Sequence, residues 1–370
     1  MISKLTEKLT RSIAEGIIGK KDKLTPEAAA VEATATQTDA TIRMEGDSNT
    51  PEHDVPRPSL FEPLLAKCKT YNPAITAVVH PVTVEAIQGA VEAEAAGLIT
   101  PFYIGPVGRI KLAAESVNIT LPPDQLLDVP HSHAAADRAM HLAKMGQVEM
   151  IMKGSLHTDE LLAAVLEKEH DLRTQRRLSH VFVMDVPSYD KLLFITDAAI
   201  NIYPGLSEKV DILQNVIELA HALGVTAPKV ALLSAVETVN PNIHSTIEAA
   251  ALCKMAERGQ IVGGQLDGPL AFDNAISPAA AAAKGIAGEV AGHADVLMVP
   301  DMEAGNILAK QLTYMAGAVS AGIVLGARLP IVLTSRADGA RSRLLSAAIG
   351  LLLLRQRVTL PKPHSHDQRL

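Results

Sequence analysis

Residues 75–104, ITAVVHPVTVEAIQGAVEAEAAGLITPFYI, set an apolar run, a helical stretch and a second apolar run in close succession. ITAVV (75–79) and PFYI (101–104) are short strand candidates rich in β-branched and aromatic residues. Between them Val84, Ile87, Val91, Ala95 and Leu98 fall on one helical face, Thr83 stands at the capping position, and Gly97 sits near the end. The same alternation continues at 148–152, 180–185, 192–196, 229–234, 295–299, 322–326 and 330–334, with Ala-rich helical stretches between many of the runs. Continuous apolar strands alternating with helices predict an α/β fold with mostly parallel strands covered on both faces. In that class ligands lie beyond the carboxyl ends of strands, so strand-to-helix loops are the places to look for chemistry.

The chain has 370 residues, 48% of them hydrophobic, which suits two domains of ordinary size. Its 34 Lys and Arg against 41 Asp and Glu give a net charge of −7, a poor match to nucleic acid or an anionic membrane. Aromatics at 3% and no Trp argue against base stacking. Cys68 and Cys253 make neither a disulfide framework nor a thiolate metal site, and a reducing cytoplasm fits them. No apolar run reaches the ~18–20 residues of a membrane span. The longest, LLSAAIGLLLL at 344–354, reads as a buried helix. Residues 1–58 read as an N-terminal extension: Ile2, Leu5, Leu9, Ile13 and Ile17 at helical spacing, then a flexible Ala-, Thr-, Pro- and acid-rich linker. The Pro-flanked polar tail, 359–370, reads as disordered.

Four loops carry the polar groups that chemistry needs. In MIMKGSLHTDELLAAVL (150–166), Lys153, Gly154, Ser155, His157 and Thr158 lie between a strand end and a helix start. Their charge, hydroxyls and open N–H groups suit an anion, while Thr158 as an ordinary helix cap is the competing reading. In 300–317, Asn306, Lys310 and Thr313 share one helix face, as ligand-binding or merely solvated side chains. In PIVLTSRADGARSR (330–343), a β run ends in Thr334, Ser335 and Arg336, a hydroxyl beside a guanidinium at a strand end. That pair suits phosphate or a developing oxyanion, and a polar helix start with surface ion pairs suits it equally. In HDLRTQRRLSH (170–180), Arg173, Arg176 and Arg177 either grip a polyphosphate or form a solvated turn. His131 and His133 have no third ligand at familiar spacing, so no metal site is expected.

Taken together, eight segments resemble the phosphate acetyltransferase / phosphate butyryltransferase family. They are PHSHAAAD (130–137), MKGSLHTDEL (152–161), HVFVMDVP (180–187), ITDAAINI (195–202), LLSAVETVNPN (232–242), GGQLDGPLAFDN (263–274), VPDMEAGN (299–306) and GIVLGARLPIVLTSR (322–336). They stand in family order across roughly 59–356. The resemblance implies reversible acyl transfer between coenzyme A and inorganic phosphate, with CoA, acyl-CoA, phosphate and acyl phosphate as partners. No permanently bound cofactor and a homodimer or higher homo-oligomer are further expectations. The implied architecture is two α/β domains with an active-site cleft between them, like isocitrate and isopropylmalate dehydrogenases. Residues 59–178 with 334–358 would form the first domain, and 179–333 the second.

Similarity puts Ser335 near the reacting sulfur, Arg336 on the phosphoryl or carbonyl oxygens, and Ser155 and Thr158 in the phosphate cradle. His157, Asn306 and Lys310 extend that cradle on geometric grounds. Acetyl-preferring members carry an aspartate seven residues after the serine, where this chain has Ser342. The departure leans toward a butyryl-type or broad short-acyl branch. It is also, with the extension, the support for a non-catalytic acyl-CoA-binding or scaffold protein. A metal-dependent hydroxyacid dehydrogenase of similar architecture would need an aspartate cluster and a nucleotide loop, and neither is evident.

Overall fold

The structure, a computed structural model, describes residues 57–334 and 339–359. The nine expected strands form, joined by two unexpected ones, β3 and β8, in the order β1 (Ala74–Val79), β2 (Ile99–Gly105), β3 (Leu126–Asp128), β4 (Met150–Lys153), β5 (Ser179–Asp185), β6 (Leu193–Thr196), β7 (Lys229–Leu233), β8 (Gln265–Leu270), β9 (Val296–Met298), β10 (Val319–Leu325) and β11 (Ile331–Val332). The helices are α1 (Glu62–Cys68), α2 (Val84–Ala95), α3 (Val107–Glu115), α4 (Ser132–Lys144), α5 (Thr158–Leu166), α6 (Leu206–Ala222), α7 (His244–Glu257), α8 (Phe272–Ile276), α9 (Pro278–Ala283), α10 (Met302–Met315) and α11 (Ala340–Thr359).

All the strands join one sheet, ordered β3-β2-β1-β4-β11-β10-β5-β6-β9-β7-β8. Both flanks are parallel. The middle, β11-β10-β5-β6, is antiparallel. The strands expected in the first and second domains therefore meet, through the parallel pairing of β11 with β4.

Alternation along the strands sends successive side chains to opposite faces. Val78, Met150, Met152, Val181, Ile323 and Val332 feed one continuous core, with Leu345, Ile349 and Leu352 of α11 in it. The 344–354 run is thus a buried helix, as its composition predicts. The opposite face carries two separate cores. One packs α4 and α5 on Val79, Ile104 and Ile151. The other packs α10 near Met184, Ile195 and Leu297. The space between these two cores, over β5 and β10, is where the site lies.

The helix over 84–95 ends as Gly97 predicts, with φ +73° and its N–H donating to Glu94. Thr83 holds the capping position without a side-chain cap bond; its hydroxyl accepts from Ser155 instead. Arg57, the first described residue, bonds Asp185 at 2.6 Å and the carbonyls of Val186 and Tyr189 through its guanidinium.

Candidate active site

A cavity of about 400 Å³ opens between α5 and α10. Its lining joins Lys153, His157 and Thr158 to Asn306 and Lys310, residues some 150 positions apart in sequence. Lys153 ends β4, is only 4% exposed, and donates to the Gly154 carbonyl at 3.4 Å. His157 occupies the capping position of α5 and Thr158 is its first residue, so the open N–H groups of that helix belong to the cavity. From α10, Asn306 donates to the Ala198 carbonyl at 3.2 Å. Lys310 stands on the next turn, exposed and without an ion-pair partner among the described residues.

Gly154 and Ser155 do not line this cavity. A Cβ on Gly154 would stand 2.4 Å from the Val79 carbonyl oxygen, so the glycine serves the close approach of two strand ends. Ser155 accepts from the Val82 N–H at 3.2 Å and donates to Thr83 at 3.1 Å. Both residues hold the loop against the end of β1.

Leu333 and Thr334 complete the cavity wall. Ser335 and Arg336 follow immediately in sequence and lie outside the described residues, as does Asp338. The approach to them is fixed on both sides. The Leu333 N–H donates to Gly322 at 3.2 Å, and the Gly322 N–H donates to Ser346 Oγ at 2.9 Å. Ser346 in turn donates to the Ser342 carbonyl at 2.6 Å, tying the start of α11 to β10.

Several lining residues escaped sequence reasoning. His180 and Phe182 of β5 and Ser320 of β10 form the floor, and Asp159 is its carboxylate. The His180 ring is fully buried and meets Phe182 edge-on at 4.4 Å between centroids. Burial lowers its pKa, against the opposing charge of Asp197 and the Leu333 carbonyl. A polar residue inside an apolar strand run, His180 or Ser320, is the signal that could have marked the floor.

A second cleft, about 840 Å³, lies beside the first. It takes Arg173, Arg176 and Arg177 together, along with Leu162 and Val165 from the flank of α5. Arg176 pairs with Glu218 at 2.6 Å and Arg177 with Glu208 at 2.8 Å, while Arg173 has no ion-pair partner among the described residues. The turn 197–201 separates the two spaces: Ala199 lines the smaller, Ile200 and Asn201 the larger. Asp197, 1% exposed, holds that turn by accepting from the N–H groups of Ala199, Ile200 and Asn201 at 3.0–3.2 Å.

Comparisons with known proteins show which family the chain resembles. A family model described as "Phosphate acetyl/butaryl transferase" matches residues 129–350. The phosphate acetyltransferase of Rhizobium meliloti is 56% identical over 301 residues, 81% of this chain and 95% of that protein. The chain belongs to the phosphate acetyl/butyryl transferase family. It is also similar to the phosphate butyryltransferase of Clostridium acetobutylicum, 39% identical over 79% of this chain and 97% of that one. The crystal structure of a branched-chain phosphotransacylase from Enterococcus faecalis V583 matches with a TM-score of 0.66 and 31% identity, covering 76% of this chain and 99% of that chain.

For this transferase, relatives named phosphate acetyltransferase and relatives named phosphate butyryltransferase both match, so their names do not choose between the two acyl chains. Among the described residues, no helix of the transferase is long and apolar enough to cross a membrane.

Proposed function

We propose that this transferase moves a short acyl group reversibly between coenzyme A and inorganic phosphate, by direct attack in a ternary complex. The observation that carries the reading is the family match, which spans the lining of the smaller cavity from Lys153 to Thr334 and the arginine loop of the larger cleft.

In the smaller cavity, Lys153, His157, Thr158, Asn306 and Lys310 receive the phosphate end of the acyl phosphate. Gly154 and Ser155 act there by setting the loop. By the family resemblance, Ser335 is the hydrogen-bonding group for the reacting sulfur and Arg336 the partner of the phosphoryl or carbonyl oxygens. In the larger cleft, Arg173, Arg176 and Arg177 take the phosphates of CoA, which reaches the reaction over the 197–201 turn. The CoA thiolate attacks the acyl carbonyl, a tetrahedral oxyanion forms, and inorganic phosphate departs with the C–O bond electrons. In reverse, phosphate attacks the thioester and the thiolate leaves. Orientation of two held substrates and fixed cationic donors supply the rate. With Ser342 in place of a carboxylate, the thiol ionises under the positive charge gathered around Lys153, Lys310 and the α5 N-terminus.

The same reading takes the two cores on the site's face as two domains flanking a cleft, in the manner of the isocitrate dehydrogenase class. It takes CoA as a substrate rather than a resident cofactor, the protein as cytoplasmic, and the assembly as a homodimer or larger.

The test is release of free CoA thiol from acetyl-, propionyl-, butyryl- and longer acyl-CoA, with and without phosphate. Phosphate-dependent release with acyl phosphate formed in equal amount is expected, and the fastest chain gives the acyl preference. Folded protein that releases no thiol with any chain overturns the enzyme in favour of an acyl-CoA-binding protein.

A further inference from the structure

Outside both cavities, Asp137 of α4 meets Glu167, Glu169 and His170 at the exit of α5, with one donor atom from each within 4.8 Å of the others. We propose that these four side chains bind a divalent first-row transition ion, Zn²⁺ being the species their spacing fits. The His170 ring is the decisive member. It is 5% exposed, and its Nε2 is buried without a hydrogen-bond partner. That nitrogen is aimed into the cluster, 3.3 Å from Asp137 Oδ1 and 3.3 Å from Glu167 Oε2. A tetrahedral ion bonded at about 2.0–2.1 Å holds neighbouring donors about 3.3 Å apart.

Charge points the same way. Three carboxylates converge where α5 ends, next to carbonyls that carry partial negative charge. The nearby Lys144 ammonium donates to the Glu169 main-chain carbonyl at 2.6 Å. An imidazole among carboxylates favours a borderline transition ion over Ca²⁺ or Mg²⁺, which prefer oxygen alone.

None of the four residues lines the reaction cavity or the larger cleft. The ion clips α4 to the end of α5, from which the chain runs into the arginine loop. Asp171, at φ +53°, pairs with Arg328 at 2.8 Å, and Arg173 bridges to Ala327. The clip therefore anchors the root of the loop that faces the larger cleft.

The test uses the full chain, freed of metal by chelation, with His364 and His366 changed to Ala to remove tail binding. Zn²⁺ is titrated calorimetrically, Co²⁺ by visible absorption, and the bound Zn²⁺ is examined by X-ray absorption. One saturable equivalent with a single imidazole ligand is expected, along with a rise in Tm. Asp137→Asn and Glu167→Gln, at positions 67% and 52% exposed, fold without difficulty. Each should weaken binding by at least the about 10–100-fold that loss of even an outer-shell partner costs. His170→Gln should remove the imidazole signal. Undiminished binding in Asp137→Asn and Glu167→Gln overturns the site. So does a chain that takes up no Zn²⁺ once the tail histidines are changed.

Discussion

The Nε of Arg177 donates to Oδ1 of Asn201 across 2.6 Å, and the same Asn201 amide donates to Asp197 at 2.5 Å and to the Leu178 carbonyl at 2.8 Å. One buried amide thus joins the arginine loop to the turn that divides the two spaces. Asn201→Ala takes the side-chain donor from the Leu178 carbonyl and one of four donors from Asp197, and leaves Arg177 with its pair to Glu208 but without this acceptor. The expected outcome is a loss of about 1–3 kcal/mol in stability, the scale of a buried polar group left unpaired. Urea unfolding measures it. The KM for acyl-CoA should rise more than kcat falls, and an unchanged KM would remove Arg177 from the CoA site.

Lys310 has the opposite character: it is exposed and makes no ion pair among the described residues. Lys310→Ala should leave Tm in place and raise the KM for phosphate about tenfold, since a bond to a charged group contributes about 1.5–3 kcal/mol. Initial rates against phosphate concentration give the result directly.

Gly322 is closed to a side chain. An added Cβ would sit 2.4 Å from the Leu333 carbonyl oxygen and 3.0 Å from His180 Nε2. Gly322→Ala should cost about 1–3 kcal/mol through overpacking. It should also lower turnover, because Leu333 leads the chain toward Ser335. Gly108 is the control: a Cβ there meets nothing within 4 Å, so Gly108→Ala on α3 should be neutral or mildly stabilising, and active.

Partial burial raises the pKa of Glu149, but bonds from Arg355 and the Ile75 N–H outweigh it and leave the group below its ordinary range. A depressed carboxyl pKa adds stability above the unfolded value, about 4.3, and loses it as pH falls through the folded one. The stability gap between wild type and Glu149→Gln should therefore be full at neutral pH and shrink on acidification. Unfolding curves across pH 3–7 check the sign. A gap that widens toward acid contradicts it.

Truncation separates two neighbouring boundaries. Removing residues 1–56 keeps Arg57 on Asp185 and should leave specific activity and Tm nearly intact. Removing 1–58 takes that guanidinium away and leaves Asp185, 7% exposed, with fewer donors. The second variant should melt lower than the first, by differential scanning calorimetry.

The interior of the fold was the legible part. Continuous apolar runs such as 180–185 announce a strand buried on both faces, and β5 forms there. The two strands that the sequence did not announce, β3 and β8, are the two edges of the sheet. β3 has three residues, and β8 contains Gly268 and Pro269, which an edge tolerates and a central strand does not. In the site, Lys153, His157 and Thr158 were readable because a strand end followed by a helix start is a local pattern. Asn306 and Lys310 shared a readable face, but only the sheet order brings them to the first group. His180 and the Asp197–Asn201 turn stayed hidden, because their importance comes from what stands across the sheet from them.

Helix α5 ends in one chamber and walls the other: Thr158 faces the smaller space, Leu162 and Val165 the larger. One helix is thus a wall common to both spaces, and a substitution that displaces it alters the shape of the two together.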